Sequence, residues 1–375
     1  MDSRSDRGGY GSAMRFSLAI NLERMEPTDN MVATAAHTLE MVQMAETAGF
    51  EIAWAAEHHA IEMTIAPGPF QLLAWWAAHT SKIRLGTAVA VAAYWHPIRL
   101  AGEAALLDLL SGGRLELGVG RGAYQREFDR MVPGLDAVSG AAALRELVPA
   151  VRALWAGDYE HDGERWAFPA STSCPKPVQA NPPIWVAARD PDTYEWAVAN
   201  GCDIMCWPLM RPFAELQEYV GRLEDAIAKV PAGNPRPRMT AMRYAAVWQD
   251  DSDADRYIRA LQRQSGQFEN LFKKLGSVDN GFAESVDLDQ LAHRDEYKPE
   301  TLRENLMFGT PDEVITKLRA YDELGVDYLY CASYGASIAD QKRSLQLFID
   351  EVMPAFADTA TAAPAMAITA NSAAR

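Results

Sequence analysis

A glutamate and two adjacent histidines, Glu57-His58-His59, follow the apolar stretch FEIAWAA at residues 50–56. Histidine titrates near neutral pH, so beside a carboxylate it is suited to moving protons in catalysis. Metal binding would need a third ligand, and the sequence offers no HxH or HxxxH spacing. Adjacent side chains on extended backbone point to opposite sides, so only one of the two histidines faces a given ligand. We predict proton transfer by His58, either substrate contact or a structural role for His59, and no metal site.

Two Gly- or Asp-containing stretches carry residue types that hold an anion. In GVGRG, Arg121 stands among glycines, which let the backbone approach a ligand closely. In ARDPDT, Arg189 precedes Asp190, the expected N-cap of a helix, and Thr193 lies in the first helical turn. Each stretch also has a purely structural interpretation, as a strand-end turn or a helix cap. The two together predict a phosphate site.

Aromatic residues follow two further apolar stretches. Trp95 and His96 come shortly after GTAVAV, and Trp207 ends CDIMCW. A concave site rich in Trp suits a ligand or cofactor with a flat aromatic system. We predict that Trp207 belongs to a cofactor pocket and that Trp95 and His96 contact substrate, with a structural role as the alternative for His96.

The elements that would position these residues alternate regularly between apolar strands and amphipathic helices. Eight such alternations predict a closed (β/α)8 TIM barrel with insertions. A doubly wound open sheet is the alternative, but the first predicted strand is not followed by a GxGxxG fingerprint. In a barrel, active sites lie at the carboxyl ends of the strands, where all the candidate residues fall. The eight predicted strands are RFSLAINL, FEIAWAA, IRLGTAVAV, RLELGVG, PIWVAA, CDIMCW, RMTAMRYAAVW and VDYLYCAS.

The predicted barrel spans residues 14–356, and the remaining segments are interpreted as tails and insertions. Residues 1–13 and 357–375 are predicted to be disordered tails. Residues 157–182 are predicted to be an irregular insertion, because they are polar and rich in Pro. Residues 250–300 are predicted to be a helix with a charged loop, forming either a mobile lid over the barrel mouth or a surface insertion without function.

Composition excludes some partners. The formal net charge is −16 and the isoelectric point is near 4.9, which argues against binding to nucleic acid or to anionic membranes. No apolar run reaches about 18 residues, so no membrane span is predicted. Four cysteines without a disulfide pattern, and the absence of a signal-peptide pattern, predict a cytoplasmic protein with reduced thiols.

The order of these motifs resembles the bacterial luciferase-like family of flavin-dependent monooxygenases over most of residues 14–356. The resemblance implies a two-component enzyme, in which a separate NAD(P)H:flavin reductase supplies reduced FMN. With O2, the flavin would form a peroxide that oxygenates a small organic substrate. A homodimer through helices around the second and third strands is also implied. The resemblance rests on GFEIAWAAEHH, IRLGTAV, HPIRLAGEAALLDLLSGGRLELGVGRGAY, PIWVAARDPDTYEWAVANG and GTPDEVITKLRAYDELGVDYL.

Other functions remain open on the sequence. A deazaflavin-dependent hydride transfer is the main alternative, since relatives of this barrel carry it out without oxygen. A non-catalytic flavin-binding subunit is a second alternative. A barrel hydrolase with the carboxylates of Glu57 and Asp190 is a third, but nothing in the sequence fixes their separation.

The resemblance also assigns roles to individual residues. It implies that His58 assists the oxygen chemistry, that Glu57 lies beside the flavin ring, and that Ala88 and Val89 pack against its face, in some members through a non-proline cis peptide. Arg121 and Thr193 match phosphate-binding positions. The predicted cofactor-binding residues are Glu57, Ala88, Val89, Gly120, Arg121, Ala123, Ala188, Arg189, Asp190, Thr193 and Trp207.

The chain departs from the family pattern at three positions. Many members carry a second phosphate-binding Arg after a Ser, where this chain has Ser139-Gly140. Arg189 stands where luciferase-type members have an acidic residue, and we hypothesise that it replaces the missing positive charge. Gly120 stands where some luciferases have a reactive Cys, so no thiol chemistry is expected there.

Overall fold

The computed structural model describes residues 14–357, apart from 21, 25, 63–65, 232, 274, 288–294 and 334–335. The predicted tails, 1–13 and 357–375, lie outside the described residues except for Ala357. Fourteen strands are found in the described part of the chain. They are β1 (Arg15–Ala19), β2 (Ile52–Ala55), β3 (Arg84–Thr87), β4 (Ala90–Val91), β5 (Leu115–Gly120), β6 (Tyr159–Asp162), β7 (Ala167–Ser171), β8 (Ile184–Ala187), β9 (Asp203–Cys206), β10 (Met239–Val247), β11 (Val278–Asp279), β12 (Phe282–Ala283), β13 (Met307–Gly309) and β14 (Tyr328–Ser333).

Helices connect these strands, and several begin with a signal that the sequence displays. Pro occupies the first turn of the helices that start at residues 69, 97, 191 and 311, where its missing N–H costs nothing. The helices are α1 (Met31–Ala48), α2 (Pro69–Ala78), α3 (Pro97–Ser111), α4 (Gln125–Met131), α5 (Ala137–Ala156), α6 (Pro191–Ala199), α7 (Phe213–Ile227), α8 (Ala254–Lys273), α9 (Pro299–Asn305), α10 (Pro311–Leu324) and α11 (Ile338–Leu347).

Eight parallel strands close into a barrel, which confirms the predicted fold. The ring runs β1–β2–β3–β5–β8–β9–β10–β14 and closes where β14 pairs with β1. Two short strands extend it, since β4 pairs with β5 and β13 pairs with β10. The helices surround the ring and connect successive barrel strands, which allows all eight strands to run in the same direction.

The structure differs from the sequence-based expectation in three places. The third predicted strand is broken into β3 and β4 on either side of a cis Ala88–Val89 peptide. The helix α4 was not predicted at all. The segment 157–182, expected to be irregular, contains an antiparallel hairpin of β6 and β7, whereas residues 172–182 form no helix or strand. Glu146 of α5 anchors that hairpin by accepting hydrogen bonds from the backbone of Arg165 and Trp166.

A polar cluster fills the amino-terminal end of the barrel. The buried carboxylate of Glu116 accepts hydrogen bonds from the indole of Trp185 at 2.6 Å and from Arg238 at 3.0 Å, and a further one from Arg84. Arg238 also binds Asp203, the first residue of β9. A buried carboxylate needs such hydrogen-bonding partners, and together these side chains fill the amino-terminal end of the barrel. Among the described residues, no helix is both long and apolar enough to cross a membrane.

Candidate active site

A cavity of about 340 Å³ opens at the carboxyl-terminal rim of the barrel, among the ends of β3, β5, β8 and β9. This volume lies in the range of small-molecule sites. The cavity brings together most of the residues that the sequence predicted for the site. They are His58, Ala88, Val89, Gly120, Arg121, Ala123, Ala188, Arg189, Asp190, Thr193 and Trp207. Four predicted residues, Glu57, His59, Trp95 and His96, are not among those that line it.

One wall of the cavity is formed by backbone that only small side chains allow. A Cβ atom at Gly120 would lie 2.7 Å from Cγ2 of Val89, so a larger residue would displace the side chain that forms the wall. Thr87 fixes the adjacent strands, because its hydroxyl donates to the carbonyl of Gly118 at 2.6 Å and accepts the N–H of the same residue at 3.0 Å. This wall is apolar, which suits the face of an aromatic ring.

Three arginines, Arg121, Arg145 and Arg189, line another side of the cavity, here called the arginine side. Within the described chain, neither Arg121 nor Arg145 makes a hydrogen bond, whereas Arg189 lies 3.4 Å from the carboxylate of Glu215. Two guanidinium groups without a hydrogen-bonding partner suit a phosphate, which they bind with paired N–H groups. The residues present therefore fit the phosphate of a flavin mononucleotide.

Arg145 was missed by the sequence analysis. The signal lay in the spacing of α5, where Ala137, Ala141 and Arg145 recur every four residues and all three line the cavity. Asp136 caps α5 by accepting the N–H of Ser139 at 2.7 Å, so these three residues lie on successive turns of one helix.

Asp190 and Thr193 lie at the start of α6 and are bonded to each other. The carboxylate of Asp190 accepts the backbone N–H of Thr193 at 2.9 Å and its hydroxyl at 2.9 and 3.0 Å. Burial raises the pKa of Asp190, but the hydrogen bonds from Thr193 and the charge of Arg121 outweigh this and lower it. A charged cap already occupies this helix terminus, so anion binding here depends on the arginines.

His58 is held by a buried carboxylate that the sequence analysis did not single out. Glu127 lies on α4 and lines the cavity, and its Oε2 is 3.4 Å from Nδ1 of His58. Its Oε1 accepts the backbone N–H of His59. The pattern QREFDRM resembles a charged surface helix, so the sequence gave little sign that Glu127 would be 2% exposed. A carboxylate at this distance orients the imidazole and selects its tautomer.

Glu57, His59 and Trp95 form a buried network next to the cavity. One oxygen of Glu57 accepts the N–H of Val91 at 2.7 Å and the indole N–H of Trp95 at 2.8 Å. The other oxygen lies 2.8 Å from Nε2 of His59. The hydrogen bond to Glu57 raises the pKa of His59, against the effect of burial. In this arrangement Glu57 fixes the chain that follows the cis Ala88–Val89 peptide.

His96 lies outside this network. Its Nδ1 accepts the N–H of Ile98 at 3.3 Å as the N-cap of α3, and its exposed ring packs against Phe168 of the hairpin. No group of three or more His, Cys, Asp or Glu side chains suited to a metal ion occurs among the described residues.

Two side-chain hydrogen bonds to backbone carbonyls hold the loop that carries Trp207. Leu209 has a positive φ of 54°, and its carbonyl accepts a hydrogen bond of 2.6 Å from Arg243, which is fully buried. The next carbonyl, of Met210, accepts one of 2.8 Å from Asn305. Both Trp207 and Leu209 line the cavity, so these two bonds fix part of its wall.

Comparison with known proteins places this geometry in a family. Residues 14–328 match the family model of luciferase-like monooxygenases. The oxygenase component of a flavin-dependent trigonelline monooxygenase from Acinetobacter baylyi is 41% identical, over 92% of this chain and 96% of that protein.

Two solved structures share the fold at lower identity. An F420-dependent secondary alcohol dehydrogenase in complex with an F420–acetone adduct has a TM-score of 0.74 at 18% identity, covering 92% of this chain and 100% of its own. The oxygenating constituent of 3,6-diketocamphane monooxygenase from Pseudomonas putida, in complex with FMN, has a TM-score of 0.71 at 19% identity, covering 91% and 98%. With the match over residues 14–328, the chain belongs to the luciferase-like monooxygenase family and is a flavin-dependent monooxygenase.

Proposed function

We propose that this protein is the oxygenase component of a two-component system and uses reduced FMN and O2 to oxygenate a small organic substrate. The observation that carries the proposal is a single cavity. It combines Arg121 and Arg145, which make no hydrogen bond within the described residues, with the pair of His58 and Glu127. The first pair of residues suits a phosphate, and the second suits proton transfer.

In this proposal the cofactor is bound at two places. Arg121 and Arg145 bind the phosphate, with Arg189 adding charge from beside Glu215. The ring rests against the wall of Ala88, Val89 and Gly120, all of which line the cavity. When bound, reduced FMN supplies two electrons and activates O2, so that one oxygen atom enters the substrate and the other leaves as water.

The protein contributes proton control and exclusion of water. His58 lies in the cavity with its Nδ1 near Glu127, and an Nδ1–H donated to that carboxylate leaves Nε2 to accept a proton. Apolar side chains such as Val89, Leu209 and Met242 line the same space. A dry cavity protects a reactive oxygen species from protonation and loss as H2O2.

We propose that α8 covers the barrel mouth as a lid. Phe272 at its carboxyl end lines the cavity. Arg126 ties that end to α4 by donating hydrogen bonds to the carbonyls of Asn270 and Gly276. Release of these bonds would let the helix move away from the cavity and admit substrate.

Partners and location belong to the same proposal. A separate NAD(P)H:flavin reductase supplies reduced FMN, as the name of the Acinetobacter baylyi relative, an oxygenase component, supports. A homodimer would cover the apolar outer face of α3, where Leu106, Leu109 and Leu110 are exposed. A cytoplasmic location agrees with the free thiols of Cys174, Cys202 and Cys206.

A deazaflavin cofactor is the second candidate, favoured by the similarity in fold to an F420-dependent dehydrogenase. A cofactor-binding experiment distinguishes FMN from a deazaflavin. The protein is titrated with reduced FMN and with reduced F420 under anaerobic conditions, and the complexes are then mixed with 18O2 and trigonelline as the first substrate. The proposal expects FMN binding and label in the product. Hydride transfer with F420 and no label from O2 would overturn it in favour of the alternative.

A further inference from the structure

Four aromatic rings meet on the side of the cavity that faces α8. The ring centroids of Tyr124 and Phe272 are 4.7 Å apart, those of Phe268 and Phe272 are 4.9 Å apart, and those of Trp207 and Phe268 are 5.7 Å apart. Tyr124, Trp207 and Phe272 line the cavity, and Phe268 packs behind them. We call these four residues the aromatic cluster. The π faces of such rings carry negative charge density, which attracts a cation.

Among the described residues, Glu127 and His58 are the ionisable side chains that line the cavity next to Tyr124, with the His58 and Tyr124 ring centroids 5.2 Å apart. Glu127 lines the cavity beside Tyr124, and the pKa of Tyr124 is raised by burial and by Tyr244, Glu127 and Glu23. Among the described residues, the cationic side chains that line the cavity are the three of the arginine side. The arginine side holds these three cations together with the carboxylate of Asp190, whereas Glu127 is the charged side chain that lines the cavity beside Tyr124.

Two nearby arginines do not alter this balance. Arg24 forms an ion pair of 3.0 Å with Glu62. Arg126 donates its hydrogen bonds to the backbone carbonyls of Asn270 and Gly276. Neither of these arginines lines the cavity. The side of the cavity that faces α8 therefore favours a ligand with a positive charge.

Trp207 adds a directional feature to this side. Its indole N–H is buried and has no hydrogen-bond partner in the described part of the chain. A buried donor without a partner is costly, and a ligand oxygen would relieve that cost. A ligand that stacks in the aromatic cluster and carries an acceptor on its ring would satisfy both the π faces and this N–H.

We infer that the substrate is a flat heteroaromatic ring with a fixed positive charge, such as an N-alkylated pyridinium bearing an oxygen substituent. Tyr124, Trp207 and Phe272 bind the ring, and Glu127 is the counter-charge. This inference rests on the proposed function, because it assigns the arginine side and the apolar wall of Ala88, Val89 and Gly120 to FMN and leaves the α8 side for the substrate.

A pair of ligands that differ in charge alone tests the inference. The probes are 1-methylnicotinamide, a cation, and 3-methylbenzamide, in which carbon replaces the charged ring nitrogen. Each is titrated calorimetrically into the protein with and without oxidised FMN. We expect the cation to bind at least about tenfold more tightly than its neutral counterpart, as one cation–π contact in a desolvated site allows. Equal affinities, or tighter binding of the neutral ring, would overturn the inference.

Substitutions test whether the aromatic cluster and Glu127 cause the preference for the cation. Phe272→Leu and Glu127→Gln should each reduce the preference for the cation by a factor of about three or more. Phe213→Leu, on α7 and packed against Tyr321, should leave the preference unchanged. Thermal melting confirms that each variant is folded. A preference that survives both variants places the charge selection elsewhere and contradicts the inference.

The same titrations separate this inference from the proposed function. If FMN binds and the two probes bind alike, the substrate class is wrong and the proposed function stands. If FMN does not bind, the proposed function fails, and the titration without flavin still decides the preference for the cation.

Discussion

The carboxylate of Glu127 joins the two histidines of the EHH motif, with Oε2 3.4 Å from Nδ1 of His58 and Oε1 bound to the backbone N–H of His59. One buried acid on α4 thus sets the position of a strand end and the orientation of an imidazole. This contact supports the proposed role of His58 in proton transfer, since the ring of His59 is bound to Glu57 at 2.8 Å.

Replacement of Glu127 should uncouple oxygen use from product formation. In Glu127→Gln, we expect FMN affinity to stay within about twofold and the ratio of product to H2O2 to fall roughly tenfold, because His58 loses the group that selects its tautomer. Oxygen uptake, product and H2O2 are measured together. His58→Ala should show the same loss, and the double variant no further loss. Losses that multiply would show that the two residues act independently.

Arg145 should be needed for FMN but not for riboflavin. A charge-assisted hydrogen bond contributes about 1.5–3 kcal/mol, and solvent screening at this exposed group reduces that, so Arg145→Ala should weaken FMN binding severalfold to about tenfold. Arg189→Ala should weaken it severalfold. Fluorescence titrations with both flavins measure this. Arg211→Ala, at an exposed ion pair with Glu296, is the control. An equal loss of riboflavin affinity would contradict phosphate binding by Arg145.

The pair of Glu57 and His59 should stabilise the fold most at low pH. The pKa of His59 is raised above its ordinary value of 6.5, first by its hydrogen bond to Glu57. A group whose pKa is raised by folding contributes its full stability below pH 6.5 and loses it as the pH rises through the folded pKa. The melting temperature of the wild-type protein should therefore exceed that of His59→Asn by more at pH 6 than at pH 9. A difference that widens with rising pH would contradict this pairing.

Two glycines should respond oppositely to alanine. A Cβ at Gly118 would lie 1.9 Å from the carbonyl oxygen of Thr87, so Gly118→Ala should cost about 1–3 kcal/mol or more of unfolding free energy. Gly221 lies in α7 with nothing within 4 Å of the added Cβ. Gly221→Ala should stabilise by about 0.5–1 kcal/mol, since alanine favours helix. Urea unfolding measures both, and a neutral Gly118→Ala would show that β3 and β5 can separate.

The outer face of α3 should be a contact between two copies of the chain. Leu106, Leu109 and Leu110 are 44%, 47% and 61% exposed. If they are buried in a homodimer, Leu106→Lys with Leu110→Lys should convert the dimer to a monomer in light scattering. Val32→Lys, at a site on α1 that is 79% exposed, is the matched control and should remain dimeric. A monomeric wild-type protein would exclude the dimer.

The sequence was sufficient for the barrel and for residues placed by strand ends. His58, Arg121 and Trp207 follow apolar strands, and in a parallel barrel all such positions converge on one rim. The sequence was insufficient where the orientation of a helix decided whether a charged residue lines the cavity. Arg145 depended on which face of α5 lines the cavity, and Glu127 on which face of a short charged helix is buried. Such faces are set by tertiary packing, which local pattern does not contain.

The inferred substrate site and the proposed cofactor site lie largely on different elements of the fold. Two of the four rings of the aromatic cluster, Phe268 and Phe272, lie on α8, whereas the arginine side is built from β5, α5 and β8. If the aromatic cluster binds the substrate as inferred, substitutions on α8 will alter what is oxidised without a direct effect on cofactor binding. Chimeras that exchange residues 254–283 between relatives would therefore transfer preference between substrates, and a family with one flavin chemistry can diversify through this segment.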